Sequence, residues 1–127
     1  EPFRPFGAVV MQEHASDWFE LDKIKESPFM MYAVDIKDQK FNLIPAVTHV
    51  DNTCRIQTVT REQNQHLHNL LKTFNDETGI PMLLNTSFNL AGKAIVETLD
   101  DAIFALRESS FEYLYLPEIK TVLYIKN

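Results

Sequence analysis

The feature that most constrains this chain is a helical stripe with a hard stop. Leu67, Leu70, Leu71 and Phe74 fall at i, i+3, i+4 and i+7, one face of an α-helix that starts near Thr60. Gly79 and Pro81 end it. The apolar strand of "PMLLNTSFN" (81–89) follows at once. A second helix is signalled by "TLDDAIFAL", where Thr98 is an N-cap with Asp101 three residues on, and Leu99, Ala102, Ile103 and Leu106 form the apolar face. Around these helices lie extended runs. "FGAVVM" (6–11) reads as a buried strand, with one or two helical turns after it in "EHASDWFEL". "FMMYAVDI" (29–36) and "FNLIPAV" (41–47) read as extended, and alternation continues through residues 48–59. "FEYLYL" and "TVLYIKN" read as closing strands. The fold class expected is α/β or α+β, a mixed twisted sheet with flanking helices. At 127 residues, one domain over 1–127 is expected.

Charge narrows the function classes. A net charge of −6 argues against a general binder of phosphate backbones and makes nucleic acid an unlikely partner, while leaving room for one small anion in a local positive pocket. No run of 18 apolar residues marks a membrane span, and no signal-peptide pattern opens the chain. One cysteine, Cys54, excludes an internal disulfide and fits a reducing, cytoplasmic setting. The chain starts at Glu1 and reads as a piece of a longer protein.

Two stretches could carry chemistry. In "PMLLNTSFN" the apolar strand runs into polar residues, and extended backbone would turn Asn85, Ser87 and Asn89 to one side and Thr86 and Phe88 to the other. Phe88 is then expected to face the core. Ser and Asn offer neutral donors and acceptors, Gly92 permits close approach, and Lys93 adds charge. A turn capped by Asn and Ser fits the same residues, and the spacing of a phosphate-binding P-loop is absent. On the other stretch, Arg55 and Gln57 share a strand face close after His49 and Asp51. A guanidinium donates in a fork that suits carboxylate or phosphate. An exposed strand face with a surface ion pair fits the same residues, and Arg is mostly an exposed residue. His66 and His68, two apart on a helix, cannot form an i, i+4 metal pair, and no metal site is expected in this chain. His49 lies in the polar turn "THVDNT", where a satisfied structural role competes with a ligand-binding one.

Taken together, "RPFGAVVMQEHASDWFE", "SPFMMYAV", "PAVTHVDNTCRIQTV" and "FNDETGIPMLLNTSFNLAGKAIVETLDDAI" resemble the C-terminal domain of O-carbamoyltransferases of the nodulation-factor and antibiotic-biosynthesis type. The likeness covers roughly residues 2–110, in matching order and spacing. It implies a fold similar to YrdC. It also implies a partner outside this chain, an N-terminal domain of actin-like fold that holds a metal and makes the final transfer to a hydroxyl. The C-terminal domain would make carbamoyl-adenylate from carbamoyl phosphate and ATP, with Mg2+ on the nucleotide phosphates. Ser87-Phe88-Asn89 matches the family's Ser-x-Asn, and Arg55 the Arg of its R-x-Q. The resemblance therefore points to Arg55, Ser87 and Asn89 as catalytic, and to Asn85, Gln57, His49 and Arg4 as nucleotide-binding. A Lys and an Arg that the family carries just before the position of Glu1 lie outside the sequence, so part of the phosphate site would be missing. "DNT" stands where the family commonly has Gly, placing Asn52 in a turn that favours positive φ. An RNA- or nucleotide-binding module and a non-catalytic docking domain are the rival readings.

Overall fold

The computed structural model describes residues 6–125, in two compact units that divide after Thr86. The first contains β1 (Gly7–Met11), α1 (Gln12–Trp18), β2 (Tyr32–Asp35), β3 (Thr53–Val59), α2 (Gln65–Thr78) and β4 (Met82–Asn85). Its sheet has four strands in the order β2-β3-β1-β4. β1 runs parallel to β3 and antiparallel to β4, and β2 is antiparallel to β3. The sheet is mixed, as the alternation of strands and helices predicts. β1 is buried along its whole length, which is why "GAVVM" shows no polar alternation.

The two faces of the sheet are covered differently. On one face, Ala8, Val10, Val34, Cys54, Ile56 and Met82 meet Trp18, Phe19, Ile44 and Val47 in the larger core cluster. On the other, Val9, Met11 and Val59 meet Leu71, with Leu67 and Leu83 beside them. α2 therefore lies on that second face. Leu71 is fully buried, whereas Leu70 is 41% exposed, so the contact is narrower than the four-residue stripe. The helix begins at Gln65 rather than near Thr60. Thr60 and Gln63 first close a turn, through Thr60 N–H to Gln63 Oε1 at 2.9 Å and Gln63 N–H to Thr60 Oγ1 at 3.3 Å. Asn64 is the true cap, accepting from Leu67 N–H at 3.0 Å. Gly79 ends the helix at φ 74°, and its N–H reaches the Asn75 carbonyl at 2.8 Å.

Residues 41–47 are not extended. Phe41–Leu43 forms a 3₁₀ turn, closed by the Thr48 hydroxyl donating to the Ile44 carbonyl at 2.9 Å and shared with that of Phe41 at 3.2 Å. No strand pairs with this segment, so its apolar residues fold back instead of joining a ladder. Asn52 does take positive φ, 63°, a conformation Asn tolerates better than most residues.

The second unit holds α3 (Leu99–Glu108) and the antiparallel pair β5 (Tyr113–Leu116) and β6 (Thr121–Tyr124). Thr98 and Asp101 form the full capping box expected of them. Ala102, Ala105 and Leu106 are the buried residues of α3. The closing strands thus make their own two-stranded sheet.

Candidate functional site

The face covered by α2 changes character along its length. Strand register places Val9 beside Gln57 and Leu83, and Gly7 beside Arg55 and Asn85. Moving away from the helix, Met11 and Val9 give way to Gly7, Val59 to Gln57 and Arg55, and Leu83 to Asn85. The open end of the face is therefore small and polar. Arg55 is exposed, with Gly7 and Ala33 as its cross-strand neighbours, and the Met30 side chain covers Gly7. Among the described residues Arg55 forms no salt bridge closer than 4.0 Å. An exposed forked donor without an ion-pair partner suits a planar or tetrahedral anion.

Gly7 is required here by its surroundings. A Cβ at that position would collide with Met30 Cε and come 2.6 Å from the Arg55 carbonyl oxygen. The methyl could move aside; the backbone oxygen cannot.

Gln57 and Asn85 are joined. Asn85 Nδ2 donates to Gln57 Oε1 at 2.6 Å, and Gln57 Nε2 donates to the Pro28 carbonyl at 3.0 Å. Asn85 Nδ2 also lies 3.4 Å from Met30 Sδ. Gln57 thus spends its amide on the chain itself, while the side-chain oxygen of Asn85 forms no hydrogen bond among the described residues.

His49 belongs to the same end through the loop before β3. Its Nδ1 lies 2.9 Å from Thr53 Oγ1, and the Thr53 hydroxyl donates to Asp51 Oδ1 at 2.8 Å. His49 Nε2 lies 3.3 Å from the Phe6 carbonyl, which only accepts, so the tautomer decides which of the two contacts the ring donates to. The imidazole sits between the loop and the start of β1. The Thr53 hydroxyl, joined by the Thr53 N–H at 3.1 Å, holds the Asp51 carboxyl below its usual pKa. Burial pushes the Cys54 thiol, one position before Arg55 but on the opposite face, up to about 11, which makes it a core residue and not a nucleophile.

Arg4 lies outside the described residues. Ser87 and Asn89 belong to the second unit. Pairing of β4 with β1 ends at Asn85, so no ladder imposes alternation on the residues after it. Phe88 is 36% exposed rather than facing a core. Asn89 Nδ2 donates to the carbonyls of Leu90 at 3.2 Å and Lys93 at 3.1 Å, closing a turn, while Ser87 is exposed. That unit also has a cavity of about 320 Å³, lined by Leu90, Lys93, Ile95, Val96, Phe104 and Ala105 among others. Among the described residues, no group of three or more His, Cys, Asp or Glu is placed to hold a metal ion. No described helix is long and apolar enough to cross a membrane.

Of the residues that sequence alone singled out, register puts Arg55, Gln57 and Asn85 on one face, and His49 lies in the loop that enters β3 at that end. Sequence did not single out Gly7 or Met30. The signal for Gly7 was a glycine opening an otherwise apolar strand; for Met30 it was Pro28 at the edge of a strand-like run.

Comparison with known proteins places these residues in a family setting. The family model described as Carbamoyltransferase C-terminus matches residues 1–122. The nodulation protein NolNO of Sinorhizobium fredii is 46% identical over 104 residues, 81% of this chain and 15% of its own length. NolO of Bradyrhizobium diazoefficiens is 42% identical over 81% of the chain and 19% of its own length. The 3'-hydroxymethylcephem-O-carbamoyltransferase of Streptomyces clavuligerus is 35% identical over 81% of the chain, again 19% of its own length. The chain thus spans about a fifth or less of these relatives.

Proposed function

The chain belongs to the carbamoyltransferase C-terminus family, and from that premise we propose that it is the part of a longer O-carbamoyltransferase that activates the carbamoyl group with ATP. The observation that supports this best is the open, polar end of the α2 face, where Arg55 stands beside Gly7. Carbamoyl phosphate loses its phosphoryl group to water, giving carbamate and phosphate. A carbamate oxygen then attacks the α-phosphorus of ATP, and pyrophosphate leaves with the electron pair of the broken P–O bond. The product is carbamoyl-adenylate, whose carbamoyl group passes to a substrate hydroxyl on another domain of the same polypeptide, in our reading one of actin-like fold.

Charge builds on phosphoryl oxygens in this step, so fixed donors serve better than a nucleophile. Arg55 supplies a charged fork on a rigid strand. The Asn85 carbonyl oxygen can accept from the carbamoyl amide. Ser87 and Asn89 are assigned a donor role on the match to Ser-x-Asn alone. Mg2+ would neutralise the nucleotide phosphates. A cytoplasmic setting goes with this reading, since ATP is held there. The net charge of −6 favours it over an RNA-binding module.

The test is pyrophosphate release from ATP and carbamoyl phosphate by the full-length polypeptide. Arg55→Ala should lower kcat/KM about 100-fold, roughly 3 kcal/mol of transition-state stabilisation. Arg55→Lys should recover only part, because a point charge cannot make two parallel bonds. Unchanged release by Arg55→Ala would remove the reading.

A further inference from the structure

Between Ser27 and Tyr32 the chain leaves the β2–β3 ladder and returns to it. Tyr32 pairs with Ile56. Ser27, five residues earlier, is already bonded to the same short stretch of β3. Its carbonyl accepts from Thr58 N–H at 2.9 Å, its N–H donates to Thr58 Oγ1 at 2.7 Å, and its hydroxyl donates to the Ile56 carbonyl at 2.8 Å. Residues 28–31 therefore advance little along β3 and bulge out. Phe29 and Met31 end up 81% and 75% exposed. Met30 turns the other way, at φ 54°, a region that an unbranched L-residue occupies only where its surroundings hold it. The holding bonds are those of Ser27 and the one from Gln57 to the Pro28 carbonyl. The result is that the Met30 thioether lies over Gly7, against the Asn85 amide and beside the strand that carries Arg55.

We propose that Met30 is the wall that limits the size of the acyl group held next to Arg55, and that Gln57 is the positioning residue that keeps this wall in place. The site then takes a small acyl phosphate of carbamoyl size and turns longer ones away. This rests on the function proposed above. A thioether fills irregular space well, and the missing Cβ of Gly7 is what lets it sit so low. Gln57 acts through Pro28 and Asn85, and no contact with the ligand is needed from it.

The experiment compares carbamoyl phosphate with butyryl phosphate as the acyl source for pyrophosphate release by the full-length polypeptide. Each added methylene that a pocket rejects is worth roughly 10–200-fold. Met30→Ala should raise the kcat/KM ratio of butyryl over carbamoyl phosphate by about 30-fold or more. Gln57→Met, which keeps the volume and removes the bond to Pro28, should raise the same ratio by about tenfold. A purely structural role for Gln57 would lower both rates together and leave the ratio alone. Should Met30→Ala fold poorly, the Gln57 variant still decides, because it leaves Met30 intact. An unmoved ratio in a folded variant, with activity still dependent on Arg55, overturns the wall and spares the site. Loss of the Arg55 dependence itself overturns both.

Discussion

The two ends of the α2 face are built from the same three strands and do opposite things. Under the helix, Met11, Val9, Val59 and Leu83 close over Leu67 and Leu71. In the next row, past the helix, stand Gly7, Arg55 and Asn85, while Gln57 lies in the row of Val9 and Leu83. β3 turns polar one row before β1 and β4 give way to Gly7 and Asn85. One helix of limited length thus divides the face into a part that it covers and a part to which the proposed function assigns binding.

Substitutions at the two ends should separate these roles. Leu71→Ala, at the covered end, should cost about 2–5 kcal/mol, read as a lower midpoint in denaturant. Its effect on pyrophosphate release per folded molecule should be small, and a large one would mean that the division is not real. Gly7→Ala, at the open end, should cost about 1–3 kcal/mol because a backbone oxygen stands in the way of the new methyl. Here carbamoyl phosphate use should fall further than stability does, and an equal fall would make Gly7 a packing residue only. In the second unit, Thr98→Ala removes a cap and should cost about 1 kcal/mol, measurable as lost α3 helicity. The Thr98 hydroxyl and then its N–H hold Asp101 below the ordinary aspartate value of 3.8. The folded pKa is the lower one, so the capping contribution is complete above 3.8 and is lost as pH falls through the depressed value. An NMR titration of the Thr98 amide should follow that loss. The smallest effect expected is that of Lys93→Ala, less than about fivefold in kcat/KM, or under ~1 kcal/mol. A flexible ammonium loses entropy on reaching a ligand, whereas Arg55 is aimed by its strand. A larger loss would move the phosphate clamp to the cavity that Lys93 lines.

How much of this was legible in the sequence depends on how local the cause is. The Gly79 stop and the Thr98–Asp101 box could be read directly, because each is set by residues within one turn. Thr60 was misleading for the same reason. It does cap, but it caps the turn before the helix, and Asn64 is only four residues on. Residues 41–47 look extended by composition, yet strand formation needs a partner that the sequence does not reveal. Arg55 and Gln57 were visible through alternation along one strand. Gly7 and Met30 were not, since their meaning comes from register across strands and from a bulge held by residues far away in the chain. Phe88 was read as inward on an alternation that stops with the ladder at Asn85.

The central position of β1 also bears on how the protein comes together in time. Ala8 pairs with Ile56 on one side and with Leu84 on the other. Both partners are synthesised long after it. Closing such distant pairs, one of them parallel, is slow compared with forming local turns and helices. A greasy segment therefore waits, unshielded, until nearly all of the first unit has left the ribosome. During that interval it is a natural target for a chaperone, and slower or colder synthesis should lengthen the exposure and raise the insoluble fraction.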